Sequence, residues 1–273
     1  MSGLRDRLRA PLRATAIVAA TVETLAALAF LRLWRRERAD RGGAEADRLG
    51  RRWARTLRRR MDLRIVVEGE PPEGPVAIVA NHLSYLDVVA LWCVVPGVFV
   101  ARADVAQWPL VGLASRLIGT IFLDRARKRD LLRVVPELSS ALGAGRNVVF
   151  FPEATSSPGA DVLPFRSSLF EAAARREVPV VGVSLQYETP EPGPEAALAV
   201  CWWGDMTFLR HVYALLALPH VVVRIRFAEP IPPSRDRKAL CRAAREAVVK
   251  KFIPTASLPI GAPVCARKGR GVR

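Results

Sequence analysis

A histidine and an aspartate five residues apart, His82 and Asp87, lie in the segment VANHLSYLDV at residues 79–88. Together they could take a proton from a hydroxyl. A carboxylate touching one imidazole nitrogen fixes the tautomer, leaves the other nitrogen free as a base and stabilises the imidazolium that forms. In a regular helix a five-residue offset leaves two side chains about 140° apart. The pair can therefore meet only if His82 lies on a loop and Asp87 in the first turn of the helix that follows. The flanking residues predict that arrangement. The apolar run at 76–80 reads as a buried strand, Asn81 or Ser84 can cap the next helix, and Asp87 suits a helix N-terminus. An aspartate in a first turn is also an ordinary helix signal, so the spacing alone does not establish catalysis. Two other histidines, His211 and His220, have no carboxylate at comparable spacing.

Three more blocks follow in order. The segment GTIFLDR (119–125) ends an apolar run in charge, FFPEATSS (150–157) does the same after Asn147, and VPVVGV (178–183) opens another strand-like run. In order and separation, the four blocks resemble the glycerolipid acyltransferases of the 1-acyl-sn-glycerol-3-phosphate acyltransferase (lysophosphatidate acyltransferase) type, over roughly residues 62 to 230. The resemblance implies transfer of a fatty acyl group from a thioester, acyl-CoA or acyl-carrier protein, to the free hydroxyl of a lysolipid, with 1-acyl-sn-glycerol-3-phosphate as the first acceptor. No cofactor and no metal are implied. His82 would be the base and Asp87 its orienting partner. Arg125 would clamp an anionic head group with its planar fork. Glu153 would bond the acceptor hydroxyl or organise its loop, and Thr155 beside it belongs to the binding set. No Gly-x-Ser-x-Gly nucleophile motif is present, in keeping with direct transfer.

Two departures from the family pattern bear on the head group. The third block commonly reads Phe-Pro-Glu-Gly-Thr and often continues with arginine, whereas this chain has Ala154 and Ser156. Ala154 adds a methyl where the backbone could need glycine-like freedom. Arg102 and Arg166 stand near enough in sequence to act as replacement ligands. The run CWWGDMTF (201–208), followed by His211, is similar to the lyso-ornithine lipid acyltransferase branch, which keeps a zwitterionic acceptor open. An aromatic strand end with a helix cap at Asp205 is the plainer reading of that run.

The elements that must carry these residues point to an α/β class. Expected strands lie near 63–69, 75–80, 97–101, 119–123, 147–151, 179–187, 198–203 and 221–228. Helices are expected near 84–93, 105–117, 127–143, 167–176, 207–218 and 235–251. This alternation predicts a layered domain with a mostly buried mixed sheet flanked by helices, over residues 62–254. Ahead of it, residues 1–61 read as a membrane-associating helical segment. A basic arm (1–13) precedes an apolar helix at 14–31, the length of a marginal transmembrane helix, where Glu23 would be costly in hydrocarbon, so that spanning the membrane and lying in its interface both stay open. A glycine-containing linker at 39–43 leads to a helix at 44–61. That helix carries an apolar stripe of Leu49, Trp53, Leu57 and Met61 among arginines, expected to face a membrane or pack on the domain. Residues 255–273 read as a basic, disordered tail.

The chain carries 42 basic against 26 acidic residues, a formal charge of +16, with 51% hydrophobic residues. Anionic lipid and nucleic acid both suit that charge. The arginines concentrate beside the apolar helix and no nucleic-acid motif is visible, so anionic membrane lipids are the expected partner and nucleic acid is not. With the activity that the resemblance implies, the expectation is a membrane-associated enzyme, and the unpaired cysteine spacing suits a catalytic domain on the reduced, cytoplasmic face. The four cysteines lack the paired spacing of a zinc site, and one histidine with scattered carboxylates argues against a metal hydrolase. A non-catalytic membrane scaffold on the same fold remains a different-class alternative, resting on the two departures.

Overall fold

The computed structural model describes residues 2–34, 44–108 and 110–256. Its strands are β1 (Leu63–Glu68), β2 (Ala77–Ala80), β3 (Val98–Arg102), β4 (Ile121–Leu123), β5 (Val148–Phe150), β6 (Val180–Glu188) and β7 (Val221–Phe227). Its helices are α1 (Ser2–Trp34), α2 (Ala44–Met61), α3 (Leu86–Val94), α4 (Val111–Leu117), α5 (Leu131–Gly143), α6 (Phe170–Arg176), α7 (Ala196–Ala199), α8 (Phe208–Ala217) and α9 (Arg237–Lys251). The strands form one mixed sheet in the order β1-β7-β6-β2-β5-β3-β4. From β4 to β6 neighbouring strands are parallel, β7 runs antiparallel to β6, and β1 is parallel to β7.

Alternation of side chains across the sheet divides the core in two. In β2, Ile78 and Ala80 face a cluster shared with α1, α2, α3 and α8. Ala77 and Val79 face the opposite cluster, built with α5, α6 and α9. All four are fully buried, as expected for a central strand covered on both faces. The catalytic candidates follow the C-terminal end of β2, His82 on the loop and Asp87 in the first turn of α3. Helix α3 is wedged between the sheet and α2, and Gly50 permits the close approach. A Cβ built there would fall 2.5 Å from Cζ2 of the buried Trp92.

Several expectations need correction. Residues 198–203 do not form a strand. The edge of β6 is already filled by β7, and the segment folds as α7 followed by irregular chain, with Trp202 N–H donating to the Leu83 carbonyl at 2.8 Å. The basic arm is the first part of one continuous helix, α1, in which Arg9 and Arg13 donate to the carbonyls of Ala217, Leu216, Leu218 and Pro219 at the end of α8. Those carbonyls lack helical partners, so the guanidiniums replace the bonds that the helix end leaves open. The apolar stripe of α2 turns inward: Leu57 is buried, and Leu49, Trp53 and Met61 pack against the core. Trp53 Nε1–H donates to Thr21 Oγ1 of α1 at 3.1 Å. The stripe thus packs on the protein, the second of its two readings, while its arginines remain outside. Thr255 and Ala256, placed in a disordered tail, instead bond the Gly159 carbonyl, and Ala256 is buried. The linker at 39–43 and residues 257–273, Cys265 included, lie outside the described residues.

Candidate active site

His82 is on the loop and Asp87 in the first turn of α3, as the spacing predicts. His82 Nδ1 is 2.8 Å from Asp87 Oδ2. With Asp87 ionised and the imidazole neutral, Nδ1 carries the hydrogen in this bond and Nε2 keeps its lone pair. Phe151 stacks on the imidazole, with centroids 4.2 Å apart and planes inclined by 20°. Asp87 is fully buried, and both its oxygens are engaged. Oδ2 also accepts from the backbone N–H groups of Leu83 at 2.7 Å and Ser84 at 3.0 Å, and Oδ1 accepts from the Tyr187 hydroxyl at 2.7 Å.

Asn81 does not cap α3. Its side chain donates to the Leu185 carbonyl at 3.0 Å and accepts from the Leu185 N–H at 2.7 Å. An amide here imitates one more residue of β-ladder, so β2 stays paired to β6 beyond its last backbone bond. Ser84 supplies a 3.4 Å contact to Leu86 N–H, and Asp87 itself caps the turn by accepting backwards.

The loop at 151–157 holds His82 by its backbone from both sides. Glu153 Oε2 accepts from His82 N–H at 3.0 Å, and Ser157 N–H donates to the His82 carbonyl at 3.0 Å. The other Glu153 oxygen accepts from Leu163 N–H at 2.9 Å. At 5% exposure, with each oxygen accepting one backbone N–H, Glu153 braces the loop. Burial pushes its carboxyl up to about 8. The nearby Asp87 charge adds to the rise, and the two backbone donors oppose it. Ala154 has φ of 63°, the left-handed region that the family's glycine would adopt freely. Ser156 Oγ donates to the Trp202 carbonyl. Sequence reasoning placed no role on Ser157, Trp202 or Tyr187. Tyr187 was legible only as an inward residue of β6, a large aromatic with a hydroxyl that must find a partner when buried.

A cavity of about 450 Å³ opens in front of His82. Ile17, Val18, Trp53, Leu57, Trp92 and Phe99 line its apolar part, between α1, α2 and α3. Arg102, Arg125 and Thr155 line it near the histidine. Arg125 donates to the Ala154 carbonyl. Desolvation by the cavity wall, with the charges of Arg102 and Arg166 beside it, lowers Arg125 to about 10. The three guanidiniums thus share one locality, although Arg166 does not line the cavity. Arg102 is also held by Asp104 in a two-pronged pair at 2.9 and 2.7 Å. Among the described residues no group of three or more His, Cys, Asp or Glu side chains could hold a metal ion.

The family model described as Acyltransferase matches residues 64–186. The chain is 34% identical over 207 residues to the lyso-ornithine lipid O-acyltransferase of Brucella abortus, covering 71% of this chain and 78% of that one. It is 31% identical over 192 residues to the 1-acyl-sn-glycerol-3-phosphate acyltransferase of Neisseria meningitidis serogroup B, covering 69% and 74%. Its fold is similar to the crystal structure of the 1-acyl-sn-glycerophosphate (LPA) acyltransferase from Thermotoga maritima. The TM-score is 0.62 at 23% identity, covering 90% of this chain and 95% of that one.

Two outcomes follow from the loop that holds His82. A left-handed alanine costs about 1 kcal/mol relative to glycine, so Ala154→Gly should raise the thermal midpoint by a few degrees in calorimetry. A lower midpoint would show that the Ala154 methyl contributes packing that outweighs the strain. The Glu153 carboxyl is raised from its ordinary 4.5 to about 8 in the folded protein. Between those values the folded chain keeps a proton that the unfolded chain has released. The contribution of this group therefore favours folding at low pH and fades as pH rises through that window. Glu153→Gln should flatten the fall of the midpoint between pH 5 and 8. An equal slope in both proteins would place the Glu153 titration outside the window.

Proposed function

The chain belongs to the acyltransferase family, and we propose that it moves a fatty acyl group from an acyl thioester to the free hydroxyl of 1-acyl-sn-glycerol-3-phosphate, with His82 as the general base. The observation that carries this reading is the His82–Asp87 pair at the head of an apolar cavity beside a cluster of arginines. His82 Nε2 takes the proton of the acceptor hydroxyl as its oxygen attacks the thioester carbonyl carbon. The C–S bond then breaks, and the leaving sulfur takes the proton from the imidazolium. Asp87 stabilises that imidazolium and stays ionised throughout. Arg125, helped by Arg102 and Arg166, holds the phosphate, and the cavity between α1, α2 and α3 holds an acyl chain. Acyl-CoA and acyl-carrier protein both meet the donor requirement.

A second acceptor is favoured by a specific observation. Ser156 takes the place of a phosphate-binding arginine and spends its hydroxyl on Trp202, and the Brucella relative is named for a lyso-ornithine lipid. The acceptor assay therefore includes lyso-ornithine lipid beside lysophosphatidate and other lysophospholipids, each with both donors. His82→Ala should lose about 10²- to 10⁴-fold in turnover at saturating acceptor, with its circular dichroism unchanged. Activity within a few-fold of the parent would remove His82 as the base. A parent protein that transfers to no acceptor from either donor would overturn the whole reading.

The enzyme is proposed to work at a membrane surface, with the catalytic domain on the cytoplasmic side. Residues 8–30 of α1 are long and apolar enough to cross a bilayer. Yet α1 is attached along its length, through Arg9 and Arg13 to α8, Thr21 to Trp53, and Leu28 to the core. This supports a helix lying flat in one leaflet. Its outer side exposes Leu12, Val18, Val22 and Phe30, and the helices packed against it expose Leu113 on α4 and Leu209 and Tyr213 on α8. Val18 and the exposed Leu110 also line the cavity, so the acyl site opens toward that apolar surface. Leu113→Glu with Leu209→Glu should cut cosedimentation with anionic phospholipid vesicles several-fold and leave the fold intact. Undiminished cosedimentation would restrict the contact to α1.

A further inference from the structure

We propose that Tyr187 is a positioning residue of this site: its hydroxyl locks the rotamer of Asp87 and sets how basic His82 is. This inference rests on the reading of His82 as general base. It begins with strand register. β2 and β6 pair in parallel from Ala77↔Val180 to Ala80↔Val183, and the Asn81 side chain extends that pairing to Leu185. Val183, Leu185 and Tyr187 alternate onto the face that carries α3. Tyr187, 1% exposed, therefore arrives beneath the first turn of α3, where its O–H meets Asp87 Oδ1 at 2.7 Å. The three other donors to Asp87 all use Oδ2. Without Tyr187, Oδ1 would be a buried carboxylate oxygen with no donor among the described residues, and rotation about the last side-chain bond of Asp87 would lose one of its four restraints.

The hydroxyl can act only as a donor here, since a carboxylate oxygen accepts. Burial and the adjacent Asp87 charge push the phenol well above its ordinary range, so it keeps its proton across the working pH. The other titratable groups around the carboxylate are Glu153 from the loop after β5, the Cys201 thiol and the Tyr85 hydroxyl. Arg245 of α9 faces Glu153, and His211 of α8 lies behind Tyr85, 3.0 Å from its oxygen. Among the described hydrogen bonds none of these five reaches Asp87. The phenolic O–H points its positive end at the carboxylate and offsets part of the negative potential that an imidazolium at His82 would feel. Removing it favours the imidazolium, so the acid limb of the kcat/KM profile should move to higher pH.

The test is the pH profile of kcat/KM, measured on the full chain with the donor and acceptor pair on which the parent is active. Tyr187→Phe should lower the plateau about ten-fold and move the acid limb to higher pH. Site-specific replacement of Tyr187 by 3-fluorotyrosine keeps ring and hydroxyl but makes a stronger donor, and should move the limb to lower pH. In the Asp87→Asn background, Tyr187→Phe should add little. A role in packing alone predicts a lower thermal midpoint with an unmoved limb in both variants, and that result would overturn the proposal. If Tyr187→Phe does not fold, the fluorotyrosine protein decides by the direction of its shift, and an unmoved limb there also overturns it. A parent without activity on any pair sinks the general-base reading instead, a result distinct from an active parent whose limb ignores Tyr187.

Discussion

A carboxylate with no exposed surface, Asp87, constrains most of what surrounds it. Burying a charge costs several kcal/mol unless hydrogen bonds replace the lost water. No Lys or Arg side chain forms an ion pair with Asp87 among the described residues. Four donors do the work, three from residues 82–84 and one from Tyr187, a hundred positions away. Meeting that requirement fixes where β2 ends, how the loop turns, where α3 begins and how β6 is aligned. With the imidazole neutral, the same bonds put its hydrogen on Nδ1 and leave Nε2 open, so the condition for burying the charge is also what the proposed base would need.

The loop at 151–157 and the segment at 201–208 complete the support. Glu153 and Ser157 grip the backbone of His82, while Trp202 joins Leu83 on one side and Ser156 on the other. Holding the backbone this tightly leaves the ring with its position set by Asp87 and Phe151. Ala154 in a left-handed conformation and Glu153 with a carboxyl raised by burial are local costs of that grip. Both sit beside the candidate pair His82 and Asp87, and strain and perturbed titration commonly collect at functional sites.

Charge and apolar surface are distributed with similar economy. The inward stripe of α2 walls the cavity, its arginines stay outside, and Arg9 and Arg13 of α1 close the end of α8. Arg125 instead sits among like charges at the cavity, lowered to about 10. An anion bound there would relieve the mutual repulsion of Arg102, Arg125 and Arg166. The net charge of the chain therefore describes several separate jobs.

Much of the architecture was legible in the residues themselves. Apolar runs and their boundaries located the seven strands, and a five-residue spacing between His82 and Asp87 required the loop-and-first-turn geometry that the fold adopts. Those features are local, and local sterics and periodicity determine them. The strand expected at 198–203 shows the limit: its residues favour extension, but β7 already occupies the edge of β6, and sheet order is not written in any short window. The stripe on α2 likewise fitted a membrane or a protein surface equally well, and only the positions of α1 and α3 decided between them. Asn81 looked like a helix cap because capping is a local function, whereas its partner Leu185 lies across the sheet. Tyr187 and Glu153 acquire their roles from long-range register and burial. A hydroxyl or carboxyl becomes a partner of a buried group only once folding has removed water from both.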